Sequence, residues 1–381
     1  MPFGTSKLLK ENFTLQHYPT STFIKMPPSK KILSLAYYLP QFHEIEENNR
    51  WWGTGFTEWT HLNESKKYFK WQEIRKPVAP LGKYSLLNPD VMESQARIAK
   101  EYCIDGFLVF DYWFGAGKTL LEKPMQMVLE KQLNFDYCLC WANHTWFNKR
   151  ENILLQQQQY LGVEDYSAYF QRLLAHFNSP HYIKINNKPI FAIFNPKEIP
   201  DLSVFIETFQ SLAKKSGFNG LYLIAENTDE TSEHANYFDG YTRSNALFKK
   251  RSRDNFYSYI KEKLTRKFNF NELGPFCYDY RNLVVKNYID TSDQKYIPVA
   301  FTGWDTTPRH QRRGTILKGL NVSSFKEHLD KIRQTLLNRN DPDQIVLIKS
   351  WNEWAEGNLL EPDNLFSHKL LKAYKDFITS I

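Results

Sequence analysis

The chain alternates short apolar segments with longer amphipathic ones, and this order constrains its fold more than any other feature of the sequence. Strands are predicted for eight segments rich in β-branched and aromatic residues: Ile32–Leu39, Gly106–Tyr112, Tyr137–Ala142, Pro189–Phe194, Leu221–Glu226, Gly240–Arg243, Ile297–Phe301 and Ile345–Ser350. Most are continuously hydrophobic, which is typical of strands buried on both faces of a parallel sheet. Helices are predicted for Pro89–Tyr102, Leu120–Gln132, Val163–Phe177, Leu202–Ser216, Ser324–Leu337 and Ser367–Thr379. The β-then-α order predicts an α/β fold, a (β/α)8 TIM barrel with an insertion in its second half.

Two segments interrupt this alternation. Residues 1–30 have little periodicity and are predicted to form an irregular N-terminal arm, so the barrel is expected to span residues 31–381. The stretch from about 244 to 295 is too long for a simple connection and is predicted to be an insertion. Within it, Leu247–Phe268 carries eight basic and two acidic residues, nearly the whole excess of a chain whose net charge is +7. The remainder is close to neutral, which argues against a nucleic-acid-binding protein.

A doubly wound nucleotide-binding sheet is the main competing fold. Its first strand lacks a glycine fingerprint, and Gly115–Thr119 resembles only the end of a P-loop, because Tyr112 stands where that motif requires glycine. None of the four cysteines has zinc-ligand or CxxC spacing. We therefore predict no cofactor and no metal site, and a reducing cytoplasm as the compartment. The first 30 residues lack the apolar segment of an export signal, and no stretch approaches the ~18 apolar residues of a membrane span.

Two carboxylates follow the eighth predicted strand, in the segment Ser350–Gly357. The active site of a (β/α)8 barrel lies at the C-terminal ends of its strands. If the chain turns near Trp351, Glu353 and Glu356 can both face this mouth, and a pair about 5–5.5 Å apart suits retaining glycoside hydrolysis. A neighbouring indole ring can raise a carboxyl pKa by desolvation, which suits a general acid. The alternative is that Glu353 caps a helix and Glu356 is a solvated surface acid.

Polar and aromatic residues also follow the other predicted strands. Flat aromatic faces and polar groups that bind hydroxyls are the components of a sugar site. The candidate substrate-binding residues are Tyr38, Gln41, His43, Trp52, Glu58, Trp59, Asp111, Trp113, Trp141, Asn143, Trp304, Asp305, Arg309, Trp351, Asn352 and Trp354. For Trp52 and Phe56 the alternative is an aromatic loop that stabilises the barrel rim. A lone His144 is more typical of a structural residue, and the chain has no G-x-S-x-G motif of a serine hydrolase.

Three motifs carry a resemblance to a known family. They are Tyr38–His43, Trp51–Gly53 with Gly55–Trp59, and Trp351–Gly357 with Leu360–Asp363. Together they resemble the WbsX-type polysaccharide-biosynthesis proteins, which are similar in turn to glycoside hydrolase family 99, the endo-α-mannosidase type. The resemblance runs from about residue 31 to the C-terminus and implies a (β/α)8 barrel with retaining action on α-linked glycans. It also implies a role in bacterial surface polysaccharide metabolism, such as that of O-antigen, lipopolysaccharide or capsule.

The resemblance implies roles for the two glutamates. By position, Glu353 would be the base that assists the sugar 2-hydroxyl as it displaces the leaving group to form an anhydro-sugar intermediate. Glu356 would protonate the departing oxygen and later activate water. The chain departs from the family pattern at Glu44 in place of a proline, Asp111 in place of a histidine, His144-Thr145 in place of Glu-Asn, and Asn358-Leu359 in place of a small residue and a tyrosine. These departures surround the sugar site, so they concern sugar specificity rather than reaction type.

Three functions remain open from the sequence: a glycosidase or transglycosidase acting on an oligosaccharide or lipid-linked glycan, a sugar-nucleotide-dependent glycosyltransferase, and a non-catalytic sugar-binding barrel. WbsX-type proteins are often called glycosyltransferases, but the D-x-D spelling of Asp341–Asp343 precedes the eighth strand and is predicted to be a turn on the opposite barrel face. The basic segment Leu247–Phe268 also contains apolar residues, so we predict peripheral contact with an anionic inner-membrane surface or a lipid-pyrophosphate carrier. The alternative is a solvated insertion that covers the barrel wall.

Overall fold

The computed structural model describes residues 31–148, 151, 153–228, 232–243, 246–268, 273–289, 291, 293–339 and 343–381. The predicted N-terminal arm and most of the D-x-D segment lie outside these ranges. The central sheet contains the strands β1 (Lys31–Tyr38), β2 (Gly106–Trp113), β3 (Tyr137–Trp141), β4 (Lys188–Ile193), β5 (Tyr222–Ala225), β6 (Gly240–Tyr241), β7 (Val299–Ala300) and β8 (Asp343–Ile348). They are parallel and ordered β6-β5-β4-β3-β2-β1-β8-β7, so the first strand pairs with the last.

Backbone bonds join β6 to the segment that leads into β7. The Tyr241 N–H donates to the Lys295 carbonyl and the Ile297 N–H donates to the Tyr241 carbonyl, both at 2.8 Å. Pro298 follows, and its carbonyl accepts the Leu347 N–H of β8 at 3.0 Å. Because proline has no N–H for a neighbouring strand, the chain changes partners here, and β7 is shorter than its prediction. The sheet is thus closed, and the predicted (β/α)8 barrel is confirmed.

The helices lie outside the sheet and in the loops at its mouth. They are α1 (Glu46–Trp52), α2 (Glu58–Asn63), α3 (Pro89–Glu101), α4 (Lys123–Lys131), α5 (Val163–Asn178), α6 (Leu202–Lys215), α7 (Arg251–Asp254), α8 (Phe256–Phe268), α9 (Thr307–His310), α10 (Val322–Leu337) and α11 (Lys369–Thr379). The six helices predicted from periodicity are α3, α4, α5, α6, α10 and α11. At the start of α3, the Asn88 side chain accepts the Asp90 N–H at 3.1 Å, and Pro89 occupies a first turn that needs no N–H donor.

The core fills the barrel and the layer between its sheet and the outer helices. One leucine or phenylalanine from each of five neighbouring strands is fully buried: Leu35, Phe107, Leu139, Phe191 and Leu347. A strand of such a barrel has side chains facing the interior and side chains facing the helices, so both sets need to be apolar. This is the physical reason for the continuous hydrophobicity from which the strands were predicted.

The segment between β6 and β7 packs on the barrel through a small apolar cluster. Its strand Phe276–Asp279 pairs in parallel with Thr315–Lys318. Its Tyr278 packs with Phe301 and Leu317, which follow β7. Because the segment leaves the C-terminal end of β6, it lies on the mouth side of the barrel. Among the described residues, no helix combines the length and apolarity needed to cross a membrane.

Candidate active site

A cavity of about 660 Å³ opens at the C-terminal ends of the barrel strands. This is where a (β/α)8 barrel carries its active site. Residues predicted from the sequence to bind or transform a substrate line it from three loops: Gln41, Trp52 and Glu58 after β1, Trp304 and Arg309 after β7, and Glu353 and Glu356 after β8. The C-terminal end of β2 contributes Tyr112, and the loops after β3 and β4 contribute His144 and Phe194. The cavity therefore joins acidic, basic and aromatic groups from both halves of the chain.

A tight turn after β8 brings both glutamates to this cavity. Asn352–Glu353 pairs antiparallel with Asn358–Leu359, and the Ser350 hydroxyl accepts the Glu353 N–H at 3.0 Å. Gly357 closes the turn with a φ of 58°, and a Cβ there would lie 2.9 Å from the Asp305 backbone nitrogen. Only glycine fits this position without strain or collision. Glu353 and Glu356 thus face the barrel mouth, as expected for a chain that turns after Trp351.

Two buried residues hold the turn from behind. The Asn352 amide accepts the Leu39 N–H at 2.8 Å and donates to the Leu39 carbonyl at 3.1 Å. The Trp354 indole N–H donates to Glu361 at 2.8 Å. These contacts tie the end of β8 to the end of β1 and to the carboxyl of Glu361. They fix the backbone from which the two glutamates project.

Arg309 faces three carboxylates at once. Its Nη2 lies 3.0 Å from Glu58 and 3.4 Å from Glu353, and its Nη1 contacts Glu356. Burial alone would lower the pKa of Arg309, but Glu58, Glu356 and Glu353 raise it well above its ordinary value. One guanidinium therefore offsets part of the negative charge of three acids, and it brings the Glu353 and Glu356 carboxyls close to the same group.

Helix α9, which carries Arg309, is itself held by a side-chain network. Asp305 accepts the Thr307 N–H at 2.9 Å and the Gln72 amide N–H at 2.7 Å. Asp305 was predicted to bind substrate, but it is engaged below the cavity. Its contacts position the helix that presents Arg309.

Glu353 holds its proton unusually tightly. Burial raises its pKa to about 8, and the charges of Glu356 and Glu58 act in the same direction against those of Arg309 and Lys349. With a pKa above 7, Glu353 favours its protonated form at neutral pH, while Glu356 contacts Arg309. The roles implied by family resemblance require Glu353 to lose this proton before the reaction and Glu356 to donate one.

Other predicted site residues lie behind the cavity wall. They are Tyr38, His43, Trp59, Asp111, Trp113, Trp141, Asn143, Asp305, Trp351, Asn352 and Trp354, and all of them except Asp305 are buried. Asp111, for example, contacts Arg172 and accepts the Tyr169 hydroxyl at 2.7 Å. Asn143 bonds to both backbone groups of Asn195 at 2.8 Å. These side chains support the cavity from below, and the structure does not bring them to its surface.

Lys349 and Asn48 are among the cavity-lining residues that were not predicted. Lys349 follows β8 directly, and its Nζ lies 3.8 Å from Glu226. The rule that functional groups follow barrel strands could have found it. Asn48 on α1 is fully buried, and neither atom of its side-chain amide has a hydrogen-bond partner among the described residues. Nothing in the run of glutamates and asparagines around it marks this position in the sequence.

The buried carboxyl of Glu361 is expected to make the stability of the fold depend on pH. It is buried and accepts bonds from Tyr84 at 2.9 Å, Gln95 at 2.7 Å and Trp354 at 2.8 Å, yet burial raises its pKa from 4.5 to about 7. A carboxyl whose pKa is raised by folding destabilises the fold as pH rises from 4.5 towards 7.

The melting temperature of the wild type, measured relative to that of Glu361→Gln, should therefore fall between about pH 5 and about pH 8. The control Glu130→Gln, at an exposed position of α4, should shift the melting temperature equally at both pH values. An equal shift for Glu361→Gln would contradict the prediction.

The fold and the cavity define a class, the (β/α)8 barrels with a cavity at the C-terminal ends of their strands. The endo-α-mannosidase of glycoside hydrolase family 99 from Bacteroides thetaiotaomicron superposes with a TM-score of 0.54 and 14% identity, over 92% of this chain and 96% of that chain. A glycoside hydrolase-like protein superposes with a TM-score of 0.51 and 16% identity, over 93% of this chain and 98% of that chain. At these identities the similarity shows the shared fold.

The chain belongs to the family described as Glycosyltransferase WbsX, which matches residues 34–374. The predicted family membership is thereby confirmed. Two relatives are the WxcX proteins of Xanthomonas campestris pv. campestris, including that of strain B100, each 28% identical over 93% of this chain. The chain spans about half the length of these relatives, 51% of one and 50% of the other.

Proposed function

We propose that the protein is a retaining glycoside hydrolase or transglycosidase that acts on an α-linked glycan with Glu353 and Glu356. The observation that carries this proposal is the placement of both carboxyls on one guanidinium inside a cavity with aromatic walls. The substrate class is an oligosaccharide or lipid-linked glycan of bacterial surface polysaccharide metabolism, O-antigen, lipopolysaccharide or capsule, handled in the cytoplasm. Family membership and the barrel fold support this class.

The reaction would divide the work between the two acids. Glu353 takes the proton of the sugar 2-hydroxyl while that oxygen bonds to C1, and the bond from C1 to the leaving oxygen breaks. Glu356 gives a proton to the leaving oxygen. In the second step water attacks C1 and gives a proton to Glu356, the bond from C1 to the 2-oxygen breaks, and Glu353 returns its proton to that oxygen. A carboxyl with a pKa of about 8 is a stronger base than an ordinary carboxylate, which suits proton abstraction from a hydroxyl. Because this pKa lies above 7, the reaction requires Glu353 to lose its proton first.

Hydrolysis is tested by incubating the protein with defined α-linked oligosaccharides and following the release of reducing sugar. Release by wild type that depends on both glutamates supports the proposal. Equal and negligible release by wild type, Glu353→Gln and Glu356→Gln would leave a non-catalytic sugar-binding barrel as the better description.

Asn48 gives a test of sugar binding inside the cavity. A buried amide without partners costs stability, whereas an amide that bonds a sugar hydroxyl contributes affinity. We expect Asn48→Leu to stabilise the free protein by about 1 kcal/mol and to weaken oligosaccharide binding about three- to tenfold, measured by thermal unfolding and calorimetry.

The matched control is Asn352→Leu, which removes an equally buried amide that bonds Leu39 on both sides. It should destabilise the protein by about 3 kcal/mol, since two backbone groups lose their partners. If Asn48→Leu is as destabilising as the control and leaves affinity unchanged, Asn48 is a packing residue without contact to sugar.

The family's description favours a second candidate, a glycosyltransferase that uses a sugar nucleotide. Titration of UDP- and GDP-sugars by calorimetry separates the two. Saturable binding at micromolar concentration, together with no release of sugar from oligosaccharides, would favour transfer from a nucleotide donor over the glycosidase proposal.

A further inference from the structure

Helix α8 is inverted relative to an ordinary surface helix. Four of its apolar side chains face outward, with exposed fractions of 66% for Phe256, 70% for Tyr257, 38% for Ile260 and 40% for Leu264. Its polar residue Glu262 faces inward and is 2% exposed. A surface helix usually buries its apolar stripe and exposes its charges, so this arrangement leaves an apolar strip on the outside of the molecule.

A polar network holds the helix in this orientation. Glu262 pairs with Arg251 at 2.8 Å and with Arg266 at 2.5 Å, and it accepts the Tyr278 hydroxyl at 2.7 Å. These charge-assisted bonds compensate the burial of the carboxylate. Because they join α8 to α7 and to the strand that contains Tyr278, the helix cannot rotate its apolar strip inward without breaking them.

Basic side chains flank the apolar strip. Lys261 lies with its Nζ 4.2 Å from the centre of the Tyr257 ring. The exposed basic residues nearby are Lys249, Lys250, Arg253, Lys263, Arg266 and Lys267. An apolar strip with a basic border is the arrangement of helices that lie in the interface of an anionic bilayer. A second copy of the same face would bring these like charges together, which disfavours self-association through it.

An aromatic contact links the segment that precedes α7 to the candidate active site. Phe248, just before α7, packs against Trp304 with ring centres 5.3 Å apart. Trp304 in turn lines the cavity that contains Glu353 and Glu356. Contact between α8 and a flat surface would therefore place that surface beside the barrel mouth rather than at the opposite end.

We propose that Phe256, Tyr257, Ile260 and Leu264, with the flanking basic residues, dock the protein on the surface of an anionic phospholipid bilayer. The apolar side chains enter the boundary between headgroups and acyl chains, while the lysines and arginines contact lipid phosphates. This inference goes beyond the proposed reaction and does not depend on it, since vesicle binding is measured without any substrate.

Co-sedimentation with vesicles tests the proposal. The wild-type protein should bind vesicles of phosphatidylcholine with phosphatidylglycerol at least about tenfold more tightly than vesicles of phosphatidylcholine alone, as measured from the fraction of protein in the pellet. Ile260→Ser/Leu264→Ser and Lys263→Glu/Lys267→Glu should each lower the binding to anionic vesicles about tenfold or more. The matched controls are Val204→Ser/Leu337→Ser, which changes two exposed apolar residues, and Lys214→Glu/Lys215→Glu, which changes two exposed lysines of α6; both should bind like wild type.

Three results would overturn the proposal. The first is equal recovery of wild type with both kinds of vesicle, and the second is binding to anionic vesicles that neither α8 variant reduces. The third is a dimer in sedimentation velocity that Ile260→Ser/Leu264→Ser dissociates, without vesicle binding, because the strip would then cover a second copy. Circular dichroism melts of all variants identify any loss that comes from unfolding.

Discussion

Glu356→Gln is expected to lower kcat on an α-linked oligosaccharide about 10³-fold, with little change in fold. A carboxamide cannot donate the proton that a departing sugar oxygen needs. Glu353→Gln is expected to cause a loss of similar size, because the 2-hydroxyl then loses the group that accepts its proton. Initial rates of reducing-sugar release measure both effects, and Glu130→Gln on the exposed face of α4 is the control expected to match wild type.

A substrate with a 4-nitrophenyl leaving group separates the two roles. Nitrophenolate departs without protonation, so the kcat/KM of Glu356→Gln, which reports the step in which the leaving group departs, should recover to within about tenfold of wild type on this substrate, whereas that of Glu353→Gln should not. Rescue of Glu353→Gln instead would exchange the two roles, with Glu353 as the proton donor, in agreement with its raised pKa. Wild-type rates in both variants on both substrates would contradict catalysis by this pair.

The second large effect is expected from Arg309→Met. Without the guanidinium, Glu58, Glu353 and Glu356 repel one another, so the pKa of Glu353 should rise further above about 8. We expect kcat/KM at neutral pH to fall about 10²-fold, and the pH–rate profile to move to higher pH. Arg309→Lys keeps the charge but cannot contact three acids through a planar fork, so its loss should be intermediate.

The loss of the Arg309 charge should also lower the stability of the Arg309→Met variant in a pH-dependent way. Carboxyls whose pKa is raised by folding destabilise the fold as pH increases, so the deficit of Arg309→Met should be small at about pH 5 and large at about pH 8. The control is Arg281→Met, which removes an arginine that pairs with Glu327 at 2.8 Å on the surface. Surface pairs contribute little to stability, so this variant should have a small deficit at both pH values. An unshifted pH–rate profile together with equal deficits at both pH values would show that Arg309 does not control protonation of the pair.

The barrel could be predicted from sequence because its signal is local. Each strand is a short continuous apolar run, and the turn that presents Glu353 and Glu356 follows the last run within a few residues. The change of strand partners at Pro298 was less visible, since it depends on β6 and β8 together. The order of elements along the chain therefore predicts the fold better than it predicts the ends of the shorter strands.

The detailed site depends on contacts between distant loops, which the sequence shows poorly. The pattern placed tryptophans at the mouth but did not say which way each ring points: Trp304 lines the cavity, whereas Trp354 points back to Glu361. Arg309 was a candidate, but its contact with acids from two other loops follows only from their arrangement in space. The outward orientation of the apolar strip of α8 could not be predicted from the sequence either, because the partners that bury Glu262 include Arg251 and Tyr278, which lie outside its helix.

The shared contacts of Arg309 limit how a barrel of this kind can acquire a new sugar preference. The loops after β1, β7 and β8 each contribute a charge to one electrostatic balance, so a remodelled loop must keep its charge or be accompanied by changes in the other two. The loops after β3 and β4, which contribute His144 and Phe194, line the same cavity and supply none of the three carboxylates that contact Arg309, so they can vary more freely. New specificities should therefore arise on one side of the mouth, while the opposite side retains the chemistry.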